Sequence, residues 1–179
     1  MFTNDVDFSE HFEKLLIKRI IQEGFWATKT TQDGYPDIEI CHKPGQQTEA
    51  YIEVKVQRRA FMSVSFKLPE SELTPSETLA LNLSDLLRYF KLAKQITTPM
   101  YILWILAERP CILEERKEKA FFQNIKTLED IYNTYGDKRR FKRKDGIGDI
   151  VEGVHKGVVV NYHFSINELL PFSINNLIK

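Results

Sequence analysis

Asp37, Glu53 and Lys55 are the residues of this chain whose types and spacing suit chemistry. They stand as Pro36-Asp37, an interval of fifteen residues, and Glu53-Val54-Lys55. Within Ala50 to Gln57, Ile52, Val54 and Val56 alternate with Tyr51, Glu53, Lys55 and Gln57, the period of a β-strand buried on one face. Glu53 and Lys55 therefore project side by side. Pro36 to Ile40 alternates in the same way, and the turn-forming Lys43-Pro44-Gly45 between the two segments predicts a hairpin that sets Asp37 beside Glu53. Two carboxylates and an ammonium then share one small surface.

Paired carboxylates repel each other in a half-buried place unless a cation joins them, and a hard ion such as Mg²⁺ takes oxygen ligands while keeping several waters. Asp37 and Glu53 are the expected ligands, with Mn²⁺ as a substitute ion. A bound divalent ion acidifies water and polarises a phosphoryl oxygen, and a neighbouring ammonium, here Lys55, orients the attacking water or neutralises developing charge. The chemistry indicated is metal-dependent phosphodiester cleavage.

With a helix before it, and a helix and an apolar strand after it, the motif Pro36-Asp37 … Glu53-Val54-Lys55 resembles the PD-(D/E)XK nucleases, the restriction endonuclease-like superfamily. The pattern is similar to that of the Holliday-junction-resolvase-like members. These carry a glutamate on the first helix, and the run from Glu13-Lys-Leu-Leu to Gly24-Phe25 looks like their helix and its step into the first strand. The resemblance implies that Glu13, with Glu10 one turn earlier as the alternative, assists as a third metal-site carboxylate. It also implies an α/β domain with a mixed central sheet flanked by helices, acting as a Mg²⁺-dependent DNA endonuclease. A homodimer is expected, since cutting both strands takes two sites. The alternative is a non-catalytic nucleic-acid-binding or protein-interaction module that keeps the fold.

The elements that must position these residues follow from periodicity. Ser9 is placed to cap a helix over about 9–23, with Phe12, Leu15, Leu16, Ile20 and Ile21 as its apolar stripe, Glu13, Lys14 and Lys18 elsewhere on its surface, and Gly24 at its end. After the motif strand, Met62, Val64 and Phe66 alternate and predict an extended segment; 68–82 reads as a long loop. Ser84 can cap a helix over about 84–97, with Leu86, Leu87, Phe90, Ala93 and Ile96 inward and Arg88, Lys91 and Lys94 outward; Pro99 stops it. Met100 to Ala107 is an apolar run suited to a strand parallel to the motif strand and buried on both faces. The segment 112–135 is expected to be mostly helical with a break near 126, Val158 to Phe164 to be a strand, and Ser165-Ile-Asn-Glu168 to be a capping box. The nuclease-like core is thus about 8–107, and 108–179 is a C-terminal extension of one domain.

With 179 residues, 42% of them hydrophobic, the chain can bury one core and is short for two. Twenty-five basic residues balance twenty-five acidic ones, so attraction to nucleic acid must come from a local patch. Lys138, Arg139, Arg140, Lys142, Arg143 and Lys144, interrupted only by Phe141, form a candidate patch for DNA phosphates; the competing reading is a solvated loop. Tyr35 and Phe141 are available for base stacking. Cys41 and Cys111, expected on strands or strand ends, make no metal spacing and suit a reduced, cytoplasmic protein. No signal-like apolar stretch opens the chain, and its longest apolar run, Met100 to Ala107, is too short to span a membrane. Phosphate-cradling glycine loops, serine elbows and His-Glu-x-x-His pairs are absent, and His11, His42, His155 and His163 are scattered.

Overall fold

The computed structural model describes residues 2–113, 118–144, 150–151, 154–155 and 157–178. Helix α1 (Phe2–Gln22) leads into strands β1 (Trp26–Lys29), β2 (Ile38–Cys41) and β3 (Ala50–Gln57). Then come α2 (Val64–Lys67), β4 (Thr78–Asn82), α3 (Leu83–Ala93), β5 (Met100–Ala107), α4 (Pro110–Leu113), β6 (Glu118–Asn124), α5 (Ile125–Tyr135) and β7 (Arg140–Lys142). The two-residue strands β8 (Ile150–Val151) and β9 (Val154–His155), then β10 (Val160–Ser165) and β11 (Leu170–Pro171), complete the described elements. The expected class, α/β with a mixed central sheet flanked by helices, is what the structure shows. The central sheet has the order β1-β2-β3-β5-β6-β11, and its β3–β5 pair alone is parallel. A second sheet runs β4-β10-β7, and β8 and β9 pair with each other.

Strand β5 explains how the layers are joined. Ile102, Trp104 and Leu106 face a core shared with α3, α5 and the second sheet, whereas Leu103, Ile105 and Ala107 face the core under α1. Its continuous apolar sequence is thus used on both faces.

Helix α1 begins well before Ser9, which lies inside it and caps nothing at its start. Phe12, Leu16 and Ile20 bury against the sheet at four-residue spacing, and the helix ends at Gly24, whose φ of +96° suits a residue without a side chain. Leu15 and Ile21, expected in the same stripe, are exposed at 43% and 40%, while Glu13 is buried on the sheet side. Glu13 falls there because it lies one turn before Leu16 and two before Ile20.

Four further expectations change. Residues 62–66 are not extended: Val64 alone of the alternating set is buried, Met62 and Phe66 face solvent, and the backbone closes helical bonds such as Leu68 N–H to the Val64 carbonyl at 2.7 Å. The supposed long loop contains β4, whose Leu79 and Leu81 are buried and which pairs with β10. The helix after it runs over Leu83–Ala93, capped by Asn82 in place of Ser84. In the segment 112–135 a helix does start at Ile125, at the expected break, but Glu118–Asn124 before it is a strand, antiparallel to β5, and β11 pairs with that strand in turn; residues 114–117 lie outside the described residues. Cys111 lies in the short helix α4 and is exposed; Cys41 is buried on β2, and both are free thiols. The box at Ser165 and Glu168 forms as expected, on a single 3-10 turn.

Candidate active site

The hairpin of β2 and β3 builds the site. Lys43-Pro44-Gly45 turns the chain, with Gly45 at φ +76° and the Glu49 N–H reaching the Ile40 carbonyl at 2.7 Å. The antiparallel register pairs Ile38 with Ile52, so Asp37 and Glu53 come next along the two chains. There the ladder ends, and the Asp37 Oδ2 accepts the Val54 N–H at 2.8 Å. The Asp37 carboxylate thus lies against β3, where it feels the charge of Glu53.

Glu53 is 3% exposed on a strand with neighbours on both sides. Its Oε1 lies 2.5 Å from the Lys55 Nζ, and its Oε2 accepts the Tyr89 hydroxyl at 2.5 Å. Burial, then the charge of Glu53, raise the pKa of Asp37 to about 6, against the Val54 N–H and Lys55, which favour its ionised form. For Lys55, burial works against the charge, but Glu53 and Asp37 outweigh it, so its pKa lies above the ordinary lysine value. Burial and Glu53 likewise push the Tyr89 hydroxyl upward, and it stays a proton donor.

Glu13 stands apart from Asp37 and Glu53. Among the described residues no three His, Cys, Asp or Glu side chains are grouped to hold a metal. The Glu13 Oε2 instead takes Lys29 of β1 at 2.8 Å, and Glu13 reaches Asp37 only through its field, which helps to raise the Asp37 pKa. Glu10, the alternative, pairs with Lys14 at 3.4 Å on the outer face of α1.

The site contains side chains that the sequence reading missed. Tyr89 sits one turn after the buried Leu86, on the inward face of α3, and a buried tyrosine hydroxyl calls for a polar partner; that was the available signal. Leu87, expected inward, is 44% exposed. Arg88 donates to the Tyr89 oxygen at 2.9 Å and lies 3.3 Å from Asp85, and Asp85 is near enough to support the charge on Lys55. Gln57, at the end of β3, accepts the Ala80 N–H at 3.0 Å and so ties the site strand to β4.

The basic run is not a uniform phosphate face. Arg139 is 1% exposed; its Nη1 donates to both oxygens of Glu168 at 2.7 and 2.8 Å, its Nε to the Ser71 carbonyl at 3.0 Å, and it stacks 3.5 Å over the Tyr135 ring. This guanidinium is structural, because a turn and strand β7 fold the run against β10. Arg140 is held by Asp137 at 2.7 Å and by the Tyr132 hydroxyl, and Arg143 is half-buried, whereas Lys138, Lys142 and Lys144 are exposed. Phe141 packs on Phe61 and Tyr35 on Tyr51, so both rings serve packing. His163 is buried between Phe61 and the Arg139 carbonyl, and burial pushes its pKa down to about 4.

No family model matches the chain, and no curated protein matches it. Among solved structures it is similar to Hjc, a Holliday junction resolvase of the archaeal hyperthermophile Archaeoglobus fulgidus. The identity is 14% and the TM-score 0.48, over 92% of this chain and 91% of that one. At that distance the likeness assigns no chemistry here, and function has to be read from this chain's own side chains. No helix among the described residues is long and apolar enough to cross a membrane.

Proposed function

We propose that this chain is a divalent-metal-dependent endonuclease that hydrolyses phosphodiester bonds in DNA. The observation that carries the reading is Asp37 set opposite Glu53 in a half-buried place, with its proton affinity raised by burial and by that second carboxylate. Such a pair is electrostatically unfavourable by itself and is relieved by a dication. The donor set fits one: two hard carboxylate oxygens, with water filling the remaining positions, as Mg²⁺ prefers and Mn²⁺ accepts. Asp37 and Glu53 would hold it. When bound, the ion supplies Lewis acidity toward water and the phosphoryl oxygen.

The chain's own residues supply the rest. Lys55 keeps its proton at neutral pH because Glu53 and Asp37 favour the ammonium, so it acts as a fixed positive charge for the developing oxyanion and not as a base. Tyr89 and Lys55 fix both oxygens of Glu53, which pre-orients that carboxylate. Glu13 assists from outside the ligand pair, by holding Lys29 and adding negative field at Asp37. Contacts to DNA phosphates along the basic run fall to Lys138, Lys142 and Lys144. A homodimer would bring two such sites to the two strands.

One observation favours the non-catalytic module: both oxygens of Glu53 are engaged within the protein, with no ion needed to satisfy them. Cleavage assays separate the two readings. The unaltered protein should cut plasmid or branched DNA with Mg²⁺ or Mn²⁺, and Asp37→Ala, Glu53→Ala and Lys55→Ala should each abolish cutting while DNA binding survives. Absence of cleavage by the unaltered protein over several DNA and RNA forms selects the binding module.

A further inference from the structure

Helix α3 brings a guanidinium to the edge of the two-carboxylate site. Arg88 is exposed, yet its Nη2 turns back to the Tyr89 hydroxyl oxygen at 2.9 Å, and that same hydroxyl donates to Glu53 at 2.5 Å. The guanidinium carbon lies 4.8 Å from the centre of the Tyr89 ring, and Asp85, one turn earlier, braces Nη2 at 3.3 Å. Arg88 thus stands two hydrogen bonds from Glu53 and feels its charge. Lys94, the residue that caps the end of the same helix, is instead drawn away to Glu129 at 2.7 Å.

A long side chain held by a ring, a hydroxyl and a carboxylate has already lost the freedom that would oppose ligand binding. Both polar contacts use Nη2, which leaves the Nη1 hydrogens for a further acceptor. Charge points the same way. Asp37, Glu53 and Asp85 exceed Lys55 and Arg88 by one negative charge; a dication turns this into one excess positive charge, which one phosphodiester neutralises. Lys55 lies against Glu53 at 2.5 Å, and Arg88 brings a second cation to the edge of the site.

We propose that Arg88 binds the phosphodiester at this site through Nη1, and that Tyr89, which holds Nη2, is the positioning residue that aims it. The assignment deepens the nuclease reading and rests on it for the identity of the ligand, but its test does not require turnover. The arginine Nε–Hε resonance of Arg88, recognised by its disappearance in Arg88→Lys, is followed while a short DNA duplex is added to the protein in excess Ca²⁺, a hard dication that takes the same oxygen ligands. A shift of that resonance supports the assignment. A resonance that stays in place overturns it, whether the DNA binds elsewhere or not at all.

Turnover adds a second readout. If the unaltered protein cuts DNA, Arg88→Ala should cut at least about 100-fold more slowly, with free guanidinium restoring part of the rate. Arg88→Lys should recover little, because a single ammonium cannot hold the Tyr89 hydroxyl with one nitrogen and present another to the phosphate. An Arg88→Ala protein that cuts at the unaltered rate overturns the role of Arg88 and leaves the nuclease reading standing. A shifted Arg88 resonance in a protein that never cuts has the opposite meaning: the phosphate site stands and the nuclease reading falls.

Discussion

Replacing Asp37 by Asn should stabilise the metal-free protein, by an amount set by pH. The side chain is desolvated and faces Glu53, and its pKa in the folded protein is raised to about 6. The folded state therefore binds this proton more tightly than the unfolded state does. Stability of the unaltered protein must fall as pH rises through the window from about 4, the ordinary aspartate value, to about 6. Each tenfold difference in proton affinity is worth about 1.4 kcal/mol, so the full effect has a ceiling of about 3 kcal/mol. Partial exposure to solvent reduces it, and about 1–3 kcal/mol is expected. Asn keeps an oxygen that can accept the Val54 N–H, now made at 2.8 Å, and removes only the charge.

The assay is thermal or urea unfolding of both proteins in EDTA, from about pH 4 to pH 8. Near pH 4 Asp37 is protonated in the folded state and the two proteins should nearly coincide; all other titrating groups are common to both and cancel. Above pH 6 the Asn protein should melt roughly 3–9 °C higher, for a chain of this size. Mg²⁺ should then reverse the order, since an ion at about one hundred times its Kd stabilises a protein that binds it by about 2.7 kcal/mol and the variant lacks a ligand. An Asn variant less stable than the parent at pH 8, or a difference that does not grow between pH 4 and 6, would refute the electrostatic reasoning. A difference of the expected sign with no response to Mg²⁺ would refute the metal reading alone.

Tyr89→Phe should cost about 1–3 kcal/mol in urea unfolding, because it leaves the Oε2 of buried Glu53 without its donor; a neutral effect would mean that water replaces the hydroxyl freely. Arg139→Ala should destabilise by about 3–5 kcal/mol through the stranded Glu168, while any DNA affinity measured below the melting point keeps its salt slope. Replacing Lys138, Lys142 and Lys144 together by Ala should lower the salt slope of log K by up to about 0.9 for each lost duplex contact, without changing sequence preference; an unchanged slope returns the run to a solvated surface.

What was legible in the sequence was local. The hairpin carrying Asp37, Glu53 and Lys55 spans a short stretch, and its alternation, its turn and its register are contained in it. The run Met100 to Ala107 declared a doubly buried strand by composition alone. Strands β4 and β6 were hidden for the opposite reason. Thr78–Asn82 is a strand only because β10, far along the chain, lies beside it, and Glu118–Asn124, rich in helix-forming residues, is one because β5 offers its free edge. In both cases tertiary pairing overrode local preference, and no window of sequence contains the partner.

Charge shows the same division between local and distant causes. Glu168 was readable as part of a local cap, and it does accept the Ser165 N–H at 2.9 Å, but it also receives the fork of Arg139 and thereby removes that arginine from the surface. Glu53 was readable as part of a strand face, and it too is held by a cation and a neutral donor. The difference between these two carboxylates is what lies opposite. Glu168 meets a full guanidinium, so its pair is complete and structural. Glu53 meets Lys55 but also Asp37, and that second carboxylate leaves the cluster with negative charge the protein itself does not cancel. A fold that keeps an uncancelled pair of carboxylates half-buried bears a cost in stability. An external cation, followed by an anion that Arg88 can receive, is the combination that removes it.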